Sequence, residues 1–128
     1  MYTDDAGCPR NIIRIVGGPS ATEGRVEICM GNREWGTICW TRWDNRDAYV
    51  LCRQLGLVLF TETEASFQRY GMGNGPIYLE NVLCQGEESS IFDCLHSNQP
   101  SETCLDHTTD VGINCTNGNI LLILSLNW

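Results

Sequence analysis

The chain contains no lysine. Eight arginines stand against sixteen aspartates and glutamates, a formal net charge of −8 over 128 residues. That balance repels phosphate backbones and anionic lipid, which argues against nucleic-acid binding and polybasic membrane docking. A long apolar run is also missing. The C-terminal "ILLILSLNW" falls short of the roughly 20 residues a bilayer-spanning helix needs. The opening "MYTDDAGCPR" has neither a basic n-region nor an apolar h-region, so it does not read as a signal peptide. No C-x-x-C pair suggests a zinc ribbon or a thioredoxin-type site, and no internal repeat or low-complexity tract occurs.

Cysteine, by contrast, is abundant: eight in 128 residues. An even count at this density belongs where disulfides persist, outside the cell or in the secretory lumen. The spacing leaves roughly a hundred pairings open. If the cysteines are bridged and no leader is present, the chain reads as a module of a longer extracellular or membrane-anchored protein. The alternative is a reduced cytosolic chain.

Short β-branched runs at 12–16 ("IIRIV") and 25–30 ("RVEICM") read as strands separated by a Gly-Pro-Ser turn at 17–20. "REWGTIC" (33–39) pairs with the second through a turn at Gly31-Asn32. The period then changes. Asp44 is placed as an N-cap with Asp47 in the first turn, and Ala48, Leu51, Cys52 and Leu55 share one helical face before Gly56. A main helix is therefore expected at about 44–55, with Cys52 facing the core. Residues 61–75 and 96–110 read as long loops, 76–84 and 111–115 as strands, and 88–94 as a short capped helix. Residues 1–11 are an N-terminal extension or linker, 12–116 one domain, and 117–128 an apolar tail that fits no pattern.

"GRVEI", "WGTIC", "WDNRDAYVLCRQLG", "YGMGNGPIYLENVLCQGEESSIFDC" and "DHTTDVGINC" resemble, in order and spacing, the scavenger receptor cysteine-rich domain family. The similarity runs from Ile13 to Cys115. It implies a small disulfide-rich α+β domain, a curved antiparallel sheet cradling one helix. It also implies an extracellular, non-catalytic module that binds proteins or polyanionic and microbial ligands. By the same resemblance Cys39 pairs with Cys104, Cys52 with Cys115 and Cys84 with Cys94. The family's eight-cysteine branch has a further bridge at places held here by Ala21 or Thr22 and Leu57. This chain therefore follows the six-cysteine branch, and Cys8 and Cys29 are left as an extra pair.

Many members of the family hold a divalent cation, usually calcium, with two aspartates directly after the cysteine of "WGTxC" and a glutamate of the "GxES" turn. Here Glu88 keeps the glutamate, but Trp40 and Thr41 replace the aspartates. A hard cation needs several oxygens at about 2.3–2.6 Å, and tryptophan supplies none. No cofactor or metal is therefore expected, with Glu88, Asp44 and Glu87 the residues left to hold calcium. Trp40 and Arg42 stand where the family presents ligand-facing groups, and both residue types are enriched at interface hot spots. The plainer alternative packs Trp40 on the loop at 61–75. Trp35 and Trp43 match core positions.

Catalytic readings have little support. Ser89 or Ser90, His96 or His107, and Asp93, Asp106 or Asp110 lack a G-x-S-x-G elbow. Cys84, Cys94, His96, Cys104 and His107 match no common zinc spacing. Asn114-Cys115-Thr116 has the form of an N-glycosylation sequon, whose middle residue the resemblance implies is bridged to Cys52. The expected function is a non-enzymatic extracellular ligand-binding or protein–protein interaction module within a larger receptor or secreted protein. The alternative is a structural spacer with no ligand of its own.

Overall fold

Alternating apolar residues in the first third of the chain build an antiparallel sheet. The structure, a computed structural model, describes residues 8–31, 34–97, 99 and 101–117. Strand β1 is Arg10–Ser20, β2 is Glu23–Met30 and β3 is Trp35–Ile38. β1 and β2 pair from Arg10↔Met30 to Ser20↔Glu23, and β2 and β3 from Glu27↔Thr37 to Cys29↔Trp35. Gly31 takes φ +89 at the start of the second turn; Asn32 lies outside the described residues.

The turn expected at 17–20 is instead part of β1, and the chain reverses at Ala21 and Thr22. The glycines explain the difference. Register shifts between Val16 and Ser20; a Cβ on Gly18 would sit 1.8 Å from the Glu23 carbonyl oxygen, and one on Gly17 2.6 Å from that of Tyr70. Their missing side chains let the strand bulge without leaving the sheet.

The helix α1, Asn45–Gln54, starts on a reciprocal cap. The Asp44 carboxylate accepts the Arg46 and Asp47 N–H groups, and the Asp47 carboxylate accepts that of Asp44. Reciprocal capping of this kind satisfies donors that the first turn cannot pair internally. The helix stops at Leu55, and Gly56 follows at φ +78, the left-handed conformation glycine adopts at no steric cost. Ala48, Leu51 and Cys52 are fully buried, as is Val50, while Leu55 is half-buried.

After α1 come β4 (Val58–Leu59), β5 (Glu64–Ala65), β6 (Ile77–Leu83), β7 (Leu95–Ser97) and β8 (Val111–Thr116). β5 and β7 interrupt the stretches at 61–75 and 96–110 that read as loops. The strand order is β4-β8-β2-β3-β6-β7, with β1 on β2 and β5 on β8. All of these pairings are antiparallel except β3 with β6, which is parallel. The connection between those two strands includes α1, the kind of crossover a parallel pair requires.

The segment expected as a helix at 88–94 is a single 3-10 turn, Ile91–Asp93, capped by the Ser90 hydroxyl. Before it, the Glu88 carboxylate accepts the N–H groups of Gln85 and Gly86 and closes a turn in which Gly86 has φ +109. That local hydrogen bonding competes with a helical start.

Val26, Ile28, Ile38, Val50, Leu51, Leu79, Val82, Ile91, Val111 and Ile113 form the core between α1 and the sheet, each 0 or 1% exposed. Each such side chain contributes about 1.5–3 kcal/mol on burial. Disulfides join Cys39 to Cys104, Cys52 to Cys115, Cys84 to Cys94 and Cys8 to Cys29, with Cα–Cα separations of 5.8, 5.8, 4.8 and 5.9 Å. Cys52–Cys115 ties α1 to β8. Cys8–Cys29 ties the start of the described chain to β2.

Candidate ligand-binding site

β3 delivers the chain to Cys39, which is held by its bridge to Cys104 and by a ladder contact to Asp110. The next residues must turn sharply to reach α1. The Trp43 N–H donates to the Trp40 carbonyl at 2.7 Å and closes a tight turn; Arg42 within it takes φ +65. The Trp40 N–H donates to the Thr109 carbonyl at 2.6 Å, and the Asn81 N–H to the Thr41 carbonyl at 3.1 Å. Asn81 is itself at φ +54. A positive φ is uncommon outside glycine and persists where the surroundings over-determine it.

This turn presents Arg42 to solvent, and among the described residues its guanidinium makes no hydrogen bond or ion pair. Trp40 is half-buried and packs against the main core. The Thr41 hydroxyl turns inward, 3.3 Å from the sulfur of Cys39. Beneath the turn, buried Glu80 accepts the N–H and the hydroxyl of Ser101 at 2.5 and 3.2 Å, bracing the neighbouring loop.

Two of the three carboxylates suggested for a cation have other work. Asp44 caps α1. Glu88 accepts the Gln85 and Gly86 N–H groups, and the Gln85 N–H foremost holds its carboxyl below the usual range. Glu87 is exposed, with no hydrogen bond or ion pair among the described residues. The groups framing Trp40 and Thr41 are Thr109, Asn81 and Trp43. None of the three offers a carboxylate, and the one beneath the turn, Glu80, is spent on Ser101, so the donor set here is poor for a hard cation.

The serine–histidine–aspartate residues are dispersed. Ser90 caps the 3-10 turn, His96 Nδ1 lies 2.9 Å from the Cys94 carbonyl oxygen, and Asp106 accepts the Thr108 hydroxyl and N–H. His107 Nδ1 is 2.9 Å from both oxygens of buried Asp110 and 3.3 Å from the Thr37 hydroxyl, while Nε2 is 2.9 Å from the Gly75 carbonyl oxygen. A proton relay needs nucleophile and orienting carboxylate on opposite ring nitrogens. Here both share Nδ1, an arrangement that pins two loops together. Cys84, Cys94 and Cys104 are all in disulfides, which removes the thiolates a zinc site would use.

Two expectations about tryptophan divide. Trp43 is buried, and its indole N–H donates to the Thr63 hydroxyl at 2.9 Å. Trp35 leaves the core and lies on the outer face of the sheet with the Arg14 guanidinium 4.1 Å above its ring. Asn114 is half-buried in β8, and its carbonyl accepts the Phe60 N–H. Thr109 and Asn81 were not singled out from sequence. Only asparagine's tolerance of positive φ offered a local signal for either of them.

Residues 16–116 match the sequence pattern described as the scavenger receptor cysteine-rich domain. Macrophage scavenger receptor types I and II from Mus musculus is 46% identical over 110 residues, covering 84% of this chain and 23% of the relative. Lysyl oxidase homolog 3A from Danio rerio is 43% identical over 103 residues, covering 80% of this chain and 14% of the relative. The chain thus spans less than a quarter of the length of these curated relatives. Among solved structures, the third SRCR domain of murine neurotrypsin superimposes with a TM-score of 0.70 at 38% identity, covering 81% of this chain and 94% of that one. The SRCR domain of mouse MARCO, in its dimeric form, gives 0.62 at 43% identity, covering 80% and 93%. With its fold, its disulfides and its sequence all in agreement, this chain belongs to the scavenger receptor cysteine-rich domain family.

Proposed function

We propose that the chain is a non-enzymatic extracellular ligand-binding module of a larger receptor or secreted protein, and that it binds without calcium. One observation carries this reading: Arg42 is held at φ +65 beside half-buried Trp40, on a turn anchored by a disulfide, with its guanidinium unpaired among the described residues. A rigid, amphipathic tryptophan next to an unspent bidentate donor suits a carboxylate- or sulfate-bearing partner. The chain's net negative charge favours a protein surface with local acidic groups over an extended polyanion.

The packing of Trp40 against the core favours a second reading, a spacer that presents neighbouring domains. Surface plasmon resonance separates the two. The folded domain is passed over immobilised extracellular proteins and a sulfated polysaccharide, with and without chelator. Chelator-resistant binding that weakens by about tenfold or more on Arg42→Ala, as expected for a lost charge-assisted hydrogen bond, supports the ligand-binding site. Binding indifferent to Arg42→Ala and Trp40→Ala, or none at all, supports the spacer.

A further inference from the structure

Away from that turn, β5, the turn at 66–70 and the loop preceding β8 enclose an open hollow of about 640 Å³. Its lining is Glu64, Ala65, Phe67, Gln68, Arg69 and Thr108. The walls are built, not draped. Ser66, fully buried, donates its N–H to the Asp110 carbonyl at 2.7 Å and its hydroxyl to the Gly71 carbonyl at 2.7 Å. Its own carbonyl accepts the Arg69 and Tyr70 N–H groups. The turn carrying Phe67, Gln68 and Arg69 is therefore fixed from beneath.

The chemistry of the lining is mixed in a specific way. Phe67 is 40% exposed and offers an apolar ring with little cover. Arg69 and Glu64 form an ion pair at 3.3 Å, each more than half exposed, so both keep unused donors or acceptors. Gln68 is exposed with no partner among the described residues, and adds an amide of both kinds. The Thr108 hydroxyl spends its proton on Asp106 and keeps lone pairs to accept with.

An anion entering this hollow meets Glu64, and a cation meets Arg69. A wholly apolar ligand would desolvate the ion pair without replacing its water. What fits is a neutral ligand with one apolar face and a row of alternating donors and acceptors. We propose that this hollow is a binding site for a neutral saccharide unit, with the C–H face of the sugar over Phe67 and vicinal hydroxyls shared by Glu64, Arg69 and Gln68. The volume lies within the range of small-molecule sites and accommodates a disaccharide. Its openness to solvent sets the affinity in the millimolar range.

The test titrates the ¹⁵N-labelled whole chain with maltose, cellobiose and mannobiose, and with a sulfated disaccharide and free glutamate as charged comparators. At least one neutral disaccharide is expected to shift the amides of residues 64–69 and Thr108 saturably. Phe67→Ala and Arg69→Ala should each weaken that binding by about tenfold or more, and Arg46→Ala on α1 should leave it unchanged. Nuclear Overhauser contacts between the Phe67 ring and sugar C–H protons in the unmodified chain provide a readout that needs no variant. The proposal is overturned if no neutral disaccharide shifts these amides up to its solubility. It is equally overturned if the shifts survive Phe67→Ala without ring contacts, or if only the charged comparators bind.

Discussion

The carboxylate of Asp47 accepts the backbone N–H of Cys84 at 2.7 Å, joining the first turn of α1 to the end of β6. The same carboxylate accepts the Asp44 N–H at 2.8 Å and is 1% exposed. Burial, the largest influence, pushes its pKa up to about 6, against the lowering effect of the two N–H donors. The folded chain then takes up a proton at a pH where the unfolded chain does not. Between about pH 6 and the unfolded carboxylate value near 4, this group stabilises the fold increasingly as pH falls. That stabilisation is complete below the unfolded value and absent above about pH 6. Urea unfolding of the natural chain and of Asp47→Asn at pH 7 and pH 4.5 should show the natural chain gaining on the variant at the lower pH. A difference that does not change with pH would count against a raised carboxyl at this position.

The bridges differ in what they hold. Cys52 and Cys115 are separated by 63 residues, Cys84 and Cys94 by 10. On the loop-closure account the longer bridge contributes about 4 kcal/mol and the shorter about 3 kcal/mol. Cys52 is also fully buried within the α1 face, so Cys52→Ala opens a cavity and leaves a partner thiol in β8. Secretion of Cys52→Ala should fall to a small fraction of normal. The paired Cys84→Ala, Cys94→Ala protein should be secreted in part and melt at a lower temperature. Equal yields for both would show that the helix-to-β8 bridge is not the dominant staple.

Glu27 is 7% exposed and accepts both Arg14, at 2.6 and 2.9 Å, and Arg25, at 2.9 and 3.0 Å. Arg14 in turn covers Trp35. Glu27→Ala strips the shared anion from two guanidinium groups on β1 and β2. Breaking a largely buried pair by removing one partner costs about 3–5 kcal/mol; the partial exposure of Arg14 brings the expected loss below that range, to about 2 kcal/mol, once solvent screening is counted. Denaturant unfolding checks the value. A loss within experimental scatter of zero would mean that solvent compensates both arginines.

How much of this was legible depends on whether the signal was local. α1 could be read from Asp44, the Ala48–Leu55 periodicity and Gly56, because caps and apolar spacing act within a few residues. The bulge at Gly17 and Gly18 could not, since glycine beside proline also spells a turn; the close approach of Glu23 and Tyr70 decides between them. Trp35 is similar. Its place outside the core follows from its register opposite Cys29 and from Arg14, both set by pairing across strands. The framing of Trp40 by Thr109 joins residues far apart in sequence, and nothing near either one announces it. Family resemblance supplied three bridge partners where spacing left the choice open.

The last prediction concerns calcium at the Cys39–Arg42 turn. Trp40 brings no oxygen, the Thr41 hydroxyl faces the sulfur of Cys39, and Glu88 is bonded to Gln85 and Gly86. Millimolar calcium should therefore move the melting temperature of the natural chain very little. A ligand at 100 times its dissociation constant adds about 2.7 kcal/mol by mass action, so a working site would be plain in a thermal scan. Trp40→Asp with Thr41→Asp supplies two carboxylates and should create a weak calcium-dependent rise. The third ligand then decides between two geometries. If Glu88 leaves its turn to bind, Glu88→Gln in that background removes the rise. If the neighbouring strand completes the site, adding Thr109→Glu strengthens it, because the Thr109 backbone already bonds Trp40 at 2.6 Å, and Glu88→Gln has no effect. A large calcium shift in the unmodified chain would defeat both forms and place the ion on carboxylates elsewhere, Glu87 and Asp44 first among them.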